Sequence, residues 1–332
     1  MTPPTETSQS THLADRLQLL DRLAADRGIV LERDVSLAPL TTLRVGGPAD
    51  RLATARTVDD LLAALGVARD AGLAAGVLGK GSDIVVSDRG IRGLVVRNRA
   101  DDIRIDGMVV RAESGASMAA LVKRCTAAGL TGLEFGISIP GSMGGAVWAN
   151  AGAHGGEMKD IVVSVEASGD AGPLTIPIEG CAFEYRSSIF KVRGDLTVLA
   201  ATIHLSRGEP AEISERVAGY QAHRRATQPV ADQNAGSVFR NPPGAHAGRL
   251  IDAAGLKGIR VGSAAVSTLH ANFIVVDRGG RADDVRRLGD HVRTVVADRS
   301  GVELEYEIEF VGDWDAAGGW GTASSDLQGG AA

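Results

Sequence analysis

Gly136-Ile137-Ser138-Ile139-Pro140-Gly141-Ser142-Met143-Gly144-Gly145-Ala146-Val147-Trp148-Ala149-Asn150-Ala151-Gly152 is the stretch on which the fold turns. Small or turn-forming residues crowd the part between Ser138 and Gly145, with apolar neighbours on both sides. Such a composition predicts neither a good helix nor a good strand, so something beyond the segment has to offset the entropy of ordering it. A large flat or phosphorylated ligand lying on exposed backbone would do so. Close packing of the glycines against a neighbouring helix would do so as well.

Upstream, Gly79-Lys80-Gly81-Ser82-Asp83 follows an apolar run around Val77. Glycines let backbone approach a ligand and turn several N–H groups toward one point, which is a way to hold a diphosphate. It is not a dinucleotide fingerprint of the Rossmann kind, because Ile84 stands where the third glycine belongs and no long helix follows. A tight turn is the plainer alternative. Downstream, Asn234-Ala235-Gly236-Ser237-Val238-Phe239-Arg240-Asn241-Pro242-Pro243-Gly244 reads as a constrained turn that presents the Ser237 hydroxyl. It lacks the GxSxG nucleophile elbow. By itself, Ser237 fits a capping role better than a catalytic one.

Arg186 lies among aromatic residues in Phe183-Glu184-Tyr185-Arg186-Ser187-Ser188-Ile189-Phe190-Lys191, a setting that suits a carboxylate- or phosphate-binding fork. A surface ion pair satisfies the same pattern. Glu303, Glu305, Glu307 and Glu309 alternate with Leu304, Tyr306, Ile308 and Phe310, which predicts a half-buried strand with four carboxylates on one face. The usual fate of such a face is solvation, and the pattern singles out none of the four. No HExxH, CxxC pair or EF-hand loop occurs, so no metal site is expected.

The 332 residues suggest two or three domains. Hydrophobic residues make up 44% and aromatics only 4%, so the cores must be built from Leu, Val, Ile and Ala. A net charge of −6 gives no footprint for nucleic acid, and Arg224-Arg225 is an isolated basic pair. No apolar run is long enough for a membrane span, and the polar N-terminus does not resemble a secretion signal. The cytoplasm is the expected compartment. Cys125 and Cys181 sit in apolar patterns without metal-ligand spacing and read as buried thiols.

Helical and strand periods alternate along the chain. Leu13, Leu17, Leu20 and Leu23 form one helical stripe that stops near Gly28. Thr57 starts a second helix, Ser117 a third, and Pro210 a fourth that runs to about Thr227. Val285, Leu288, Val292, Val295 and Val296 mark a fifth. Strands are expected around Val77, 84–86, 94–96, 161–165 and 196–205, and Asp106-Gly107 marks a hairpin. Breaks fall near 96–101 and 206–211. Residues 1–11 and 313–332 are expected to be disordered tails.

Taken in order, these segments resemble the UDP-N-acetylenolpyruvoylglucosamine reductase family. The resemblance starts at Thr41-Thr42-Leu43-Arg44-Val45-Gly46-Gly47-Pro48-Ala49. It runs through the Gly79 loop, the long glycine-rich segment, Tyr185-Arg186 and Ala235-Gly236-Ser237-Val238-Phe239, and closes at Leu304-Glu305-Tyr306-Glu307. Each motif is modest alone, but six in order are specific.

The resemblance implies an α+β chain with a vanillyl-alcohol-oxidase/PCMH-type FAD-binding fold in two subdomains, followed by a C-terminal α/β substrate-binding domain. The first subdomain would span 12–97, with a returning strand from 301–312. The second would span 98–208, and the substrate domain 210–300. The resemblance also implies FAD as cofactor and NADPH as hydride donor. A UDP-amino-sugar enolpyruvyl ether would be the substrate, in peptidoglycan precursor synthesis, and the protein would act as a monomer.

By the same resemblance, Gly79, Lys80, Gly81, Ser82, Asp83, Pro140, Gly141, Ser142, Gly144, Gly145, Asn150, Ala151 and Gly152 would bind the cofactor. Arg186, Ser237 and Glu307 would be catalytic, while Tyr185, Arg186 and Asn241 would hold substrate. This chain departs from the family's habits at Lys80, Asp83, Glu184 and His154. The short stretch after Arg186 also lacks the tyrosine-bearing substrate loop of one family branch. Two rivals fit part of the pattern. Another oxidoreductase of the same flavin fold often carries covalent flavin on a His or Cys of the first loop, and 79–83 has neither. A catalytically silent flavin-binding protein would have had no reason to keep all three catalytic positions.

Overall fold

The computed structural model describes residues 6–314. The leucine stripe forms helix α1 (Glu6–Asp26), which Gly28 ends with a φ of 69°. The helix starts ahead of the stripe, so only residues 1–5 of the expected N-terminal tail lie outside the described residues. Once a helix is nucleated, each further residue adds a hydrogen bond at small cost, and the polar residues before Leu13 extend it. Residues 315–332 of the expected C-terminal tail likewise lie outside the described residues. Asp313 and Trp314 precede them and are anchored, Trp314 against Phe310 and Asp313 through its carbonyl to Ser87 Oγ.

Strands β1 (Glu32–Ser36), β2 (Pro48–Ala55), β3 (Ala75–Leu78) and β5 (Ile91–Asn98) form a four-stranded sheet ordered β1-β2-β5-β3, with β4 (Ile84–Val86) apart from it. Helix α2 (Val58–Asp70) covers this sheet. It starts at a full capping box, in which Thr57 Oγ1 accepts from Asp60 N while the Asp60 carboxylate accepts from Thr57 N. The β3 strand runs into the loop 79–83, so the sheet aims that loop at the site.

The next region is an antiparallel five-stranded sheet. Asp106 pairs with Val109 across the Gly107 turn and joins β6 (Ile103–Asp106) to β7 (Val109–Glu113). The strand Thr197–His204 pairs with β7, and Val162–Gly169 and Gly172–Pro177 complete the sheet. Helix α3 (Met118–Ala127) packs Met118, Leu121, Val122 and Cys125 onto it. Ser117 occupies the N-cap position of α3, but its hydroxyl makes no capping bond. Both cysteines are buried and free.

The glycine-rich stretch is more regular than its composition suggests. It forms a 3-10 turn (Glu134–Ser138) and a short helix α4 (Met143–Trp148), in which Met143, Ala146 and Val147 are buried. Tertiary burial of that apolar face overrides the poor helix propensity of Gly144 and Gly145.

After the one-turn helix α5 (Ile189–Val192) comes helix α6 (Pro210–Thr227), with Pro210 at its first position. The third region packs α7 (Ala247–Ala253) and α8 (Ala282–Ser300) with a small antiparallel sheet from Gln233–Asn234, Ile274–Val276, Ala264–Val266 and Arg260–Val261. Its core takes in Val285, Leu288, Val292 and Val296, but also Leu43, Val45 and Val85 from the first region and Phe310 from the last strand. Asp88, just beyond β4, accepts from the backbone N–H groups of Ala282 and Asp283 at the start of α8. No described helix is long and apolar enough to cross a membrane.

Candidate active site

Two loops from different regions meet at the centre. Ser82 Oγ donates to the Pro140 carbonyl at 2.5 Å. A methyl group on Gly79 would stand 2.6 Å from Ser142 Oγ, so the two loops pack closely there. Gly81 is left-handed (φ 59°), and a side chain there would meet the Leu40 carbonyl at 2.8 Å. Thr42 holds the arrangement from a third side. Its amide donates to the Gly81 carbonyl, and its hydroxyl reaches the Asn234 carbonyl at 2.7 Å. The threonine of the opening motif thus ties the first loop to the turn that carries Ser237.

The backbone N–H groups of Lys80, Gly81 and Ser82 meet no acceptor among the described residues. Donors left open on a glycine loop, closed sideways against a second loop, fit an anionic group such as the FAD diphosphate. Asn150 has a different part from its neighbours. It is fully buried with φ 42°, its amide donates to Glu157 and to the Glu184 carbonyl, and its carbonyl accepts from Lys159 N. All of that holds protein to protein, so Asn150 supports the site by fixing where residue 184 lies.

Residue 184 opens a tight hairpin, Glu184 and Ser187 exchanging backbone hydrogen bonds. Arg186 sits in it at φ 54°, a left-handed conformation that costs a non-glycine residue roughly 1–2 kcal/mol. Several contacts hold it there. Ser188 is buried and donates its hydroxyl to the Trp148 carbonyl, and Arg240 donates to the Arg186 carbonyl at 3.2 Å. From this hairpin the guanidinium reaches Glu307 Oε1 with Nε at 2.8 Å and the Gly152 carbonyl with Nη2 at 3.1 Å.

The stretch after Gly301 corrects the sequence expectation. Regular strand covers only Glu309–Val311, which pairs in parallel with β4, while Tyr306 makes a single bridge to Phe239. The alternation is real, since Leu304, Ile308 and Phe310 are buried, but the carboxylates do not share one fate. Glu303 and Glu305 are exposed, whereas Glu307 and Glu309 are half-buried and ion-paired. The difference arises because the chain passes from the bridge with Phe239 at Tyr306 to pairing alongside β4 at Glu309, turning a solvated face into an interior one. Burial holds the Glu307 carboxyl above its usual range, against the pull of the Arg186 guanidinium.

Ser237 comes beside Glu307 through the backbone: the Val238 carbonyl accepts from Glu307 N at 2.8 Å. Sequence reasoning missed the residue that sets this turn. The buried Asn272 clamps Phe239, accepting from its N–H and donating to its carbonyl, while the Asn272 carbonyl accepts from Val238 N. Nothing in the sequence around Asn272 signals this. Asn241 caps the segment before α7, its carbonyl accepting from Ala247 N, and its own amide meets the Tyr185 hydroxyl at 3.3 Å.

Asp83 is not turned simply toward open backbone donors. Its carboxyl lies within the fields of Glu309, Lys191 and Glu307, and burial with the Glu309 charge pushes it up to about 6. His154 also finds a defined place. Its ring stacks on Tyr220 of α6 at 3.9 Å and hydrogen-bonds Ser138 at 2.8 Å, so α6 covers one flank of the glycine-rich stretch.

A glycine loop with open backbone donors, braced against a second glycine-rich segment beside an arginine–glutamate pair, fits an FAD-binding oxidoreductase of the PCMH type. The FAD binding domain family matches residues 49–174, and the UDP-N-acetylenolpyruvoylglucosamine reductase C-terminal domain matches residues 228–311. UDP-N-acetylenolpyruvoylglucosamine reductase 2 of Symbiobacterium thermophilum is 42% identical over 306 residues, covering 90% of this chain and 97% of that protein. The Bacillus subtilis UDP-N-acetylenolpyruvoylglucosamine reductase is 37% identical over 279 residues, 83% of this chain and 92% of that one. The crystal structure of the UDP-N-acetylenolpyruvylglucosamine reductase from Thermus caldophilus superposes with a TM-score of 0.74 at 36% identity, covering 85% of this chain and 99% of that one. The chain belongs to the UDP-N-acetylenolpyruvoylglucosamine reductase family.

Proposed function

We propose that this enzyme reduces UDP-N-acetylglucosamine enolpyruvate to UDP-N-acetylmuramate with NADPH, a cytoplasmic step of peptidoglycan precursor synthesis performed by a monomer. The supporting observation is the convergence of Arg186, Glu307 and the Ser237 turn from three separate stretches of chain beside a cradle that fits FAD. Bound FAD would take hydride from NADPH and deliver it to the terminal carbon of the enolpyruvyl group.

The residues of this chain supply the rest. Addition of hydride leaves negative charge on the neighbouring carbon and its carboxylate. Arg186 stabilises that charge from a hairpin that fixes its guanidinium in advance, so little reorganisation is needed as the charge develops. Glu307, whose burial favours the protonated form against the pull of Arg186, accepts from Arg186 with Oε1 and so orients the guanidinium. Ser237 passes its hydroxyl proton to the carbon and recovers one from water, which completes the addition of hydride and proton across the double bond. Tyr185 and Asn241, joined by their hydrogen bond, line the side from which the sugar nucleotide approaches.

Anaerobic stopped-flow absorbance of the Ser237→Ala variant tests this reading. NADPH should bleach the flavin at the native rate, while reoxidation by the enolpyruvyl substrate slows by about a thousandfold. Native reoxidation in the variant would remove Ser237 as proton donor. A native protein that NADPH bleaches but this substrate does not reoxidise would overturn the substrate assignment.

A further inference from the structure

Behind Glu307 the charges form a second layer that the proposed chemistry does not use. Lys191, on α5, places Nζ 2.6 Å from Glu309 Oε1 and 4.5 Å from the centre of the Trp148 ring, with its side chain only 16% exposed. The Glu309 amide in turn donates to the Asp83 carbonyl at 2.8 Å. Two rungs therefore join the stretch 186–191 to the stretch 307–309: Arg186 to Glu307 and Lys191 to Glu309. The first rung touches the site, and the second lies between it and the first glycine loop.

We infer that Lys191 is a positioning residue for Glu307. By holding Glu309, it sets the charge against which the Glu307 carboxyl keeps its proton. This rests on the proposed role of Glu307 in substrate reduction. Glu307 is faced by Arg186 from the hairpin, Lys191 from α5, Arg240 from the serine turn, Asp83 from the glycine loop, and Glu305 and Glu309 on its own stretch. Asp83, Glu307 and Glu309 are thus opposed mainly by Arg186 and Lys191, because Arg240 is shared with Glu305 at 3.8 Å.

Without the ammonium, the Glu309 carboxylate loses the one ion-pair partner it has among the described residues. The loss of a positive charge also makes Glu307 harder to ionise. The direction is supported by the two raised carboxyls: burial lifts both Glu307 and Asp83, and Lys191 opposes the rise in each.

The experiment follows reoxidation of pre-reduced holoenzyme by UDP-N-acetylglucosamine enolpyruvate in single turnovers from pH 5.5 to 9, for native protein, K191M, K191R and E307Q. FAD affinity is read in parallel by flavin-fluorescence quenching. Native reoxidation falls as pH rises through the apparent pKa of Glu307. In K191M that limb moves up by about one pH unit and the low-pH plateau drops about tenfold, while FAD affinity stays within about threefold. K191R restores the native limb.

A K191M limb that coincides with the native one overturns the proposal. So does loss of FAD affinity beyond about tenfold, which would mark Lys191 as a clamp of the loops alone. If K191M does not fold, E309Q carries the test with the opposite sign. Removal of that negative charge moves the limb down, and an unmoved limb is equally fatal. E307Q separates the two layers of argument: native reoxidation at every pH would overturn the role of Glu307 itself, whatever Lys191 does.

Discussion

The loop 79–83 and the hairpin 184–187 present opposite kinds of chemistry to the site. The loop offers backbone. Lys80, Gly81 and Ser82 leave their N–H groups open while the Ser82 hydroxyl braces the second segment, and a carbon added at Gly79 would stand 2.6 Å from Ser142 Oγ. The hairpin offers one side chain, and its backbone is bent into a left-handed turn to present it. An ancient, invariant ligand feature such as a diphosphate can be met by N–H groups common to every residue. A charge that appears only during the reaction needs a group with its own charge at a fixed place.

That contrast can be broken experimentally. The largest effect is expected at Arg186. Arg186→Lys keeps the charge but loses the fork to Glu307 and Gly152, so substrate-driven reoxidation should fall by about a hundred- to a thousandfold with flavin reduction intact. A lysine variant within threefold of native would show that charge alone is needed there. Next comes Gly79→Ala, for which FAD affinity measured by fluorescence quenching should weaken by about tenfold or more, whereas Lys80→Ala should change it by less than about threefold. If the two variants weaken FAD equally, the loop works through side chains after all.

The smallest effect is expected at Asp83. Its folded carboxyl is raised to about 6 from 3.8, so the folded protein binds the extra proton. Stability is therefore lost as pH climbs from about 4 to about 6 and stays lost above that. Asp83→Asn should raise the thermal midpoint of the FAD-free protein by about a degree or two at pH 7.5 and by nothing measurable near pH 4. An equal gain at both pH values would remove the ionised carboxyl as the cause.

The sequence already carried the helices with strong stripes, since the spacing of Leu13 to Leu23 and of Val285 to Val296 follows directly from which face is buried. The hairpin at Asp106-Gly107 was legible for a similarly local reason. α4 was not, because its stability comes from Met143, Ala146 and Val147 being buried by distant parts of the chain. The site residues show the same divide. Ser237 and Glu307 were given catalytic roles only through the resemblance, since neither the glutamate alternation nor the serine turn distinguished them, whereas the aromatic setting of Arg186 already suited an anion-binding fork as well as a surface ion pair. Asn272 and Lys191 escaped altogether. Their importance lies in partners 33 residues away for the Asn272–Phe239 bond and at the far end of the chain for Lys191–Glu309, and local pattern holds no trace of either.

The parallel pairing of Glu309–Val311 with β4 carries a consequence for how the protein is made. The partner strand at Ile84 leaves the ribosome long before Glu309 does, so the first region waits, incomplete, while the second and third are synthesised. Long-range parallel pairing is slow for the same entropic reason. Glu307 is delivered by the segment that closes this pairing. The same segment bonds the Asp83 carbonyl through the Glu309 amide, so the first glycine loop and the Glu307 carboxyl are both completed when this late strand docks.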